Sequence, residues 1–225
     1  MKINLIEFFV KTVAENSQKT AVVDGAKTIT FGELDFKARL LAYLLLSECN
    51  CQNSPVALYL PKSINAVVGD IAITYSGNTY MNLDIKNPAE RISNILYLIQ
   101  PKAIITNNVY YKKIREIASD SIKIINIDEL SEENIPEQEY FISKLSNIID
   151  CDPYCIINTS GSTGTPKGVV LNHKSFIDFM AQTFGEYNFN ATDVIGSLSP
   201  VIFDIWSYEL CLLMGVGRSE EHTSE

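Results

Sequence analysis

The chain has 225 residues, of which 46% are hydrophobic and 10% aromatic, enough apolar mass for one large domain or two small ones around a buried core. A formal charge of −9 excludes the basic face that a nucleic-acid or anionic-membrane surface requires, so neither partner is expected. Asp70 interrupts the longest apolar run, 64–75, well short of a membrane span, and the opening MKINLIEFFVK has no signal-peptide pattern.

In chain order, residues 4–15 read as an amphipathic helix, with Leu5, Phe8, Phe9 and Val13 at helical spacing. Strands at 21–23 and 27–30 form a hairpin about Asp24-Gly25. Thr30 and Glu33 make a capping box for a helix to about residue 47, with Leu34, Ala38, Leu41 and Leu45 on one face. A buried strand at 56–60 is closed by Pro61; an apolar helix at 64–75 and a strand at 79–83 follow. Asn87 caps the next helix, Pro88 sits in its first turn, Ile92, Ile95, Leu96 and Ile99 form its buried stripe, and Pro101 ends it. Strands at 102–106 and 123–127 flank a helix at 109–118. The acidic stretch 129–140, with Pro136, reads as a solvated loop or edge segment. A second block from Asp152 holds a strand, a loop, a strand at 169–171, a helix at 174–185, a strand at 194–198 and a helix at 204–213. Strands alternating with helices predict an α/β fold of mostly parallel sheets with flanking helices.

The cysteines Cys49, Cys51, Cys151, Cys155 and Cys211 form no tandem pairs with histidine support, so no zinc site is predicted. Their odd number and the acidic composition predict reduced, partly buried thiols and a cytoplasmic location.

Residues 154–168 read YCIINTSGSTGTPKG, a buried strand opening into a hydroxyl-rich loop. Gly161, Gly164, Pro166 and Gly168 bend the backbone and let it approach a ligand closely. Ser160, Ser162, Thr163 and Thr165 supply hydroxyl donors and Lys167 a point charge. With the backbone N–H groups of the turn, these residues suit a polyphosphate. The alternative is an ordinary turn between two strands. The loop is not a Walker A loop: counting from Gly161, position six is Pro166 and position eight is Gly168.

The run T-S-G-S-T-G-x-P-K-G resembles the phosphate-loop signature of the adenylate-forming, AMP-binding superfamily, which includes acyl-CoA synthetases, luciferases and the adenylation domains of nonribosomal peptide synthetases. TITFGELDFKARLLAYL resembles the first core motif of those adenylation domains and GNTYMNLDIKNPAERI the second, although Asn82 and Ile85 stand where the family usually has prolines. In SPVIFDIWSYEL, Phe203-Asp204 resembles the Phe-Asp motif at the rim of the acyl pocket, with Trp206 where serine is usual.

The resemblance implies that residues 1–217 are the N-terminal part of an adenylation domain, an incomplete N-terminal subdomain of that fold. Thr159, Ser160, Gly161, Ser162, Thr163, Gly164, Thr165 and Lys167 would hold the phosphates of ATP. Asp204 would pair with a substrate ammonium group, Ile205 and Tyr208 would line the same pocket, and His173 would help to shape it. Two bland readings stand beside these: Asp204 as a helix N-cap, and His173 as a satisfied structural histidine. No catalytic residue is expected within 1–217. The Mg2+-binding glutamate, the ribose-binding aspartate and the catalytic lysine belong to motifs absent from this sequence. The implied reaction is activation of a carboxylic acid, specifically an amino acid, as an acyl-adenylate, followed by transfer to the phosphopantetheine thiol of a carrier protein. The fragment alone is expected to be inactive. The alternatives are an acyl-CoA or aryl-acid ligase and a non-catalytic nucleotide-binding module.

Residues 218–225, RSEEHTSE, lack apolar periodicity and follow abruptly on an apolar segment. Back-translated, they read like a sequencing-library adapter in frame, which marks them as a non-native tail outside the fold. Without their one arginine and three glutamates the formal charge is −7 rather than −9.

Overall fold

In the computed structural model, which describes residues 4–49, 52–131, 137–160, 166–187, 189–190 and 192–222, local sequence signals set most element ends. Helix α1 is Ile6–Asn16, and strands β1 (Thr20–Asp24) and β2 (Lys27–Thr30) pair antiparallel. The capping box forms: Thr30 Oγ1 accepts the Glu33 N–H at 3.2 Å, and the Glu33 carboxylate accepts the Thr30 N–H at 2.8 Å. Such a cap stabilises a helix start by about 1 kcal/mol, here that of α2 (Phe31–Glu48). After β3 (Pro55–Leu58), the Ser63 hydroxyl accepts the Ala66 N–H at 3.3 Å and opens α3 (Ile64–Tyr75). Residues 66–75 of α3 are buried without a break, so it is an interior helix rather than an amphipathic one.

The alternation continues through β4 (Thr79–Asn82), α4 (Ala89–Ile99), β5 (Ala103–Thr106), α5 (Asn108–Ile117) and β6 (Lys123–Asn126). The start of α4 differs from expectation. Pro88, at ψ 148°, is the N-cap, and Asn87 stands outside the helix with its N–H on the Asp84 carbonyl at 3.1 Å. Proline suits a helix start because the N–H it lacks would have no intrahelical partner there. The acidic stretch is also corrected: Gln138–Leu145 is a helix, α6, which buries Phe141 and Leu145. An apolar pair at i, i+4 is too short a stripe to stand out against acidic neighbours.

The second block comprises β7 (Pro153–Ser160), β8 (Pro166–Asn172), α7 (His173–Tyr187), β9 (Val194–Ser197), α8 (Asp204–Val216) and β10 (Ser219–His222). Among the described residues the larger sheet has the order β6-β5-β3-β4-β7-β8, parallel except for the β7–β8 hairpin. The smaller sheet has the order β2-β1-β10-β9.

Strand alternation sorts the core onto two faces of the larger sheet. Val56, Leu58, Tyr80 and Ile105 join one cluster with α1, α2, α3, α8 and the smaller sheet. Ala57, Met81 and Ile104 join the other, with Ile92, Ile95 and Leu96 of α4 and Ile114 of α5. Gly168 keeps α4 close to β8: a Cβ there would lie 2.8 Å from Ile99 Cδ1 and 3.0 Å from Ile156 Cγ2. Packing of α4 on this strand thus uses the missing side chain.

The tail expected to lie outside the fold contributes β10, which pairs parallel with β1 (Val22↔Glu220) and with β9 (Glu220↔Ile195). Backbone N–H and C=O groups pair whatever the side chain, so composition gave no sign of this. The side chains suit the position poorly. Arg218, Glu220 and His222 are buried, and Arg218 Nε, Glu220 Oε2 and His222 Nδ1 find no hydrogen-bond partner among the described residues. Each such orphaned atom costs roughly 1–3 kcal/mol.

Candidate functional site

The β7–β8 hairpin carries the hydroxyl-rich loop. Thr159 faces Lys167 and Ser160 faces Pro166 at its mouth, and the Thr159 hydroxyl donates to the Lys167 carbonyl at 3.4 Å. The Lys167 side chain is exposed. Gly161, Ser162, Thr163, Gly164 and Thr165 lie outside the described residues. Asn158 was passed over in the sequence although it stands beside the loop. Its buried amide has neither donor nor acceptor matched among the described residues.

The far end of β8 opens onto a groove of about 360 Å³ lined by Leu171, Ser175, Phe176, Phe179, Asp204, Ile205 and Tyr208. Five residues of strand, about 17 Å, separate Pro166 at the hairpin mouth from Leu171 in the groove. The groove brings together Asp204, Ile205 and Tyr208, as their spacing on one helix implied. Asp204 is not the N-cap of α8: Phe203 holds that position, and Asp204 is the first helical residue. The Asp204 carboxylate is exposed, and among the described residues it accepts only the N–H of its neighbour Ile205, at 2.9 Å. A carboxylate in a helix's first turn is favoured by the helix dipole. Set against apolar walls, with the Phe179 and Tyr208 rings 4.7 Å apart, it is suited to take up a cation. The contribution of α7 was missed in the sequence, although the i, i+3 spacing of Phe176 and Phe179 was there to be read.

His173 lies elsewhere. It is 3% exposed, its Nδ1 accepts the Leu5 N–H at 3.3 Å, and its ring packs against Tyr154 at 5.2 Å. Burial lowers its pKa to about 4 against the opposing pull of Asp152 and Asp150. It lines no part of the groove described above.

Burial also raises the Cys155 thiol to about 12 and holds the Cys211 thiol well above its ordinary value, so both stay protonated. Among the described residues no helix is long and apolar enough to cross a membrane, and no three His, Cys, Asp or Glu side chains converge as metal ligands.

The α/β domain thus carries at the two ends of one strand, β8, the mouth of a loop that is hydroxyl-rich in sequence and a groove with one carboxylate among apolar walls. The family model for AMP-binding enzymes matches residues 9–219. The chain belongs to the AMP-binding enzyme family, the adenylate-forming ligases. It is 30% identical over 206 residues to syringomycin synthase SyrB1 of Pseudomonas syringae pv. syringae, a match covering 92% of this chain and 32% of that protein. It is 32% identical over 204 residues to bacitracin synthase 1 of Bacillus licheniformis, covering 89% and 4%. The chain thus spans no more than 32% of the length of either synthase. Two solved structures share its fold. The complex of VinN with L-aspartate matches with a TM-score of 0.83 at 15% identity, over 99% of this chain and 58% of that one. The AMPPNP-bound form of the nonribosomal peptide synthetase FmoA3 matches with a TM-score of 0.84 at 19% identity, over 99% and 23%.

Proposed function

We propose that this chain is the acid- and phosphate-binding part of an enzyme that activates an amino acid with ATP and passes it to the phosphopantetheine thiol of a carrier protein. The observation that carries the reading is the layout of β8, which runs from Lys167 at the mouth of the loop to Leu171 in the Asp204 groove. The substrate ammonium would sit on Asp204, with Ile205 and Tyr208 beside the side chain. Thr159, Ser160, Lys167 and the loop between them would hold the β- and γ-phosphates. A substrate carboxylate oxygen bonds to the α-phosphorus, the bond from that phosphorus to the bridging oxygen breaks, and pyrophosphate leaves with the electron pair. The carrier thiolate then attacks the acyl carbon and AMP departs. The protein's part in the first step is positioning and neutralisation of the charge on the leaving group.

Asp204→Ala in the full-length protein tests the acid class. An enzyme for amino acids loses acid-dependent ATP–pyrophosphate exchange by about 100-fold or more; an acyl-CoA or aryl-acid ligase keeps it. ATP binding without exchange for any acid would favour a non-catalytic nucleotide-binding module.

Two further readings belong to the same proposal. The 225 residues alone are inactive, because the adenine, ribose and catalytic-lysine motifs implied by the resemblance are absent from them; pyrophosphate exchange by the isolated chain would refute this. Residues 218–225 are foreign to the native domain, a reading supported by the orphaned buried atoms of Arg218, Glu220 and His222. Sequencing the source DNA across the Gly217 codon decides it. Cysteine usage supports the cytoplasm as the site of action.

A further inference from the structure

We propose that Asp70 is a positioning residue for the acid groove, acting through Asn82 and Trp206. The inference rests on reading that groove as the substrate site. Asp70 lies inside α3 and is 1% exposed. Its Oδ2 accepts the Trp206 indole N–H at 2.7 Å, from 136 residues away in the chain, and an Asn82 amide N–H at 2.9 Å. The same Asn82 amide donates to the Val201 carbonyl at 3.0 Å. One carboxylate oxygen therefore ties together α3, β4, the segment leading into α8, and the first turn of α8.

That first turn needs an outside anchor. Its N-cap, Phe203, makes no side-chain cap, and among the described residues the Asp204 carboxylate bonds only to the next backbone N–H. Phe203 and Ile205 are 50% and 56% exposed, so packing does little to hold them. Trp206, fully buried directly after Ile205, is the fixed point of the turn. A buried indole N–H or amide without an acceptor is costly, so each donor requires Asp70. Asn82 and Trp206, two of the three positions (Ile85 is the other) where the second core motif and the Phe-Asp motif depart from the family pattern, meet on the same oxygen. Other groups facing Asp70 and Trp206 are Glu220 and Tyr80, and His222, whose ring lies 5.7 Å from that of Trp206. Among the described residues of that segment, 218–222, none is a hydrogen-bond partner of Asp70, Asn82 or Trp206, so the triad's own bonds do not draw on it.

The test uses the full-length protein carrying Asp70→Leu, Asp70→Asn, Trp206→Phe and the Asp70→Leu/Trp206→Phe pair. In pyrophosphate exchange, Asp70→Leu and Trp206→Phe each raise the KM for the acid by about 10-fold and leave the KM for ATP within about 2-fold. Asp70→Asn, which keeps an acceptor oxygen, restores the acid KM. The double variant is no worse than the worse single, because both remove one interaction. Equal rises in both KM values, additive losses, or no rescue by Asp70→Asn overturn the proposal. Trp206→Phe carries the same test if Asp70→Leu fails to fold. Should the wild type exchange with no amino, fatty or aryl acid, the site reading falls, but the positioning claim is still decided by amide hydrogen exchange in Trp206→Phe and Asp70→Asn. Exchange of 199–205 rises about 10-fold in Trp206→Phe and stays at the wild-type level in Asp70→Asn; unchanged protection in Trp206→Phe overturns it.

Discussion

Thr159 and Lys167 stand opposite each other where β7 meets the loop, and the threonine hydroxyl donates to the lysine carbonyl at 3.4 Å. The bond uses the backbone of Lys167 and leaves its ammonium group uncommitted to the strand pair. The strands thus deliver a cation to the mouth of the loop, and among the described residues its charge enters no ion pair with the fold.

Removing that charge should therefore affect nucleotide handling and little else. In the full-length protein, Lys167→Ala is expected to raise the KM for ATP by about 10-fold or more. The exposed position predicts a stability change within about 0.5 kcal/mol. Exchange kinetics and urea unfolding of the same preparation check both halves; an unchanged ATP KM would remove Lys167 from the phosphate site.

Gly168→Ala should act in the opposite way. The added methyl must displace Ile99 of α4 or Ile156 of β7. Overpacking of this kind costs about 1–3 kcal/mol, seen as a lower urea midpoint. If the midpoint holds, α4 has room that the structure denies it.

The two buried groups Asp70 and His173 give opposing pH dependences. His173 keeps a pKa of about 4 in the fold against an ordinary 6.5, first through burial. The unfolded chain takes up a proton that the fold refuses, so stability is lost as pH falls from 6.5 toward 4. Asp70 is raised from 3.8 to about 7, first through burial, with Glu220 adding and Asn82 and Trp206 opposing. The fold keeps a proton that the unfolded chain releases, so stability is lost as pH rises through that window. The slopes offset each other where the windows overlap. His173→Gln should unmask a decline with rising pH, and Asp70→Asn a decline on acidification. Urea midpoints at about pH 4.5, 5.5 and 6.5 read both; parallel profiles for the two variants would contradict the assignment.

Thr30→Ala should cost about 1 kcal/mol by removing the cap on α2, while Thr30→Ser keeps most of it. A thermal scan of the two variants suffices, and equal melting temperatures would mean that the box contributes nothing.

The reach of the sequence differs from element to element. The box at Thr30 and Glu33 and the bounds of α3 were readable because each depends on residues three or four apart. Asp204, Ile205 and Tyr208 were readable as a set because one helix carries all three. Their partners on α7, Phe176 and Phe179, reach the groove only through the fold, and His173 was drawn away from it by its contacts with Leu5 and Tyr154. Helix α6 was hidden by the acidic residues that precede it and by its short apolar stripe, and Asn87 missed its cap by one residue because Pro88 fits the start of α4 better.

By itself, then, the sequence determined the alternation of strands and helices, the loop and its hydroxyls, and the family resemblance, all carried by short-range spacing that an extended chain already contains. Only the tertiary structure decided the order β6-β5-β3-β4-β7-β8, the pairing of 219–222 within a sheet, and the meeting of Asn82 and Trp206 on Asp70. The physical reason is that backbone pairing is indifferent to side chains. A buried carboxylate, for its part, is satisfied by whichever donors the closed fold brings to it, at whatever distance along the chain.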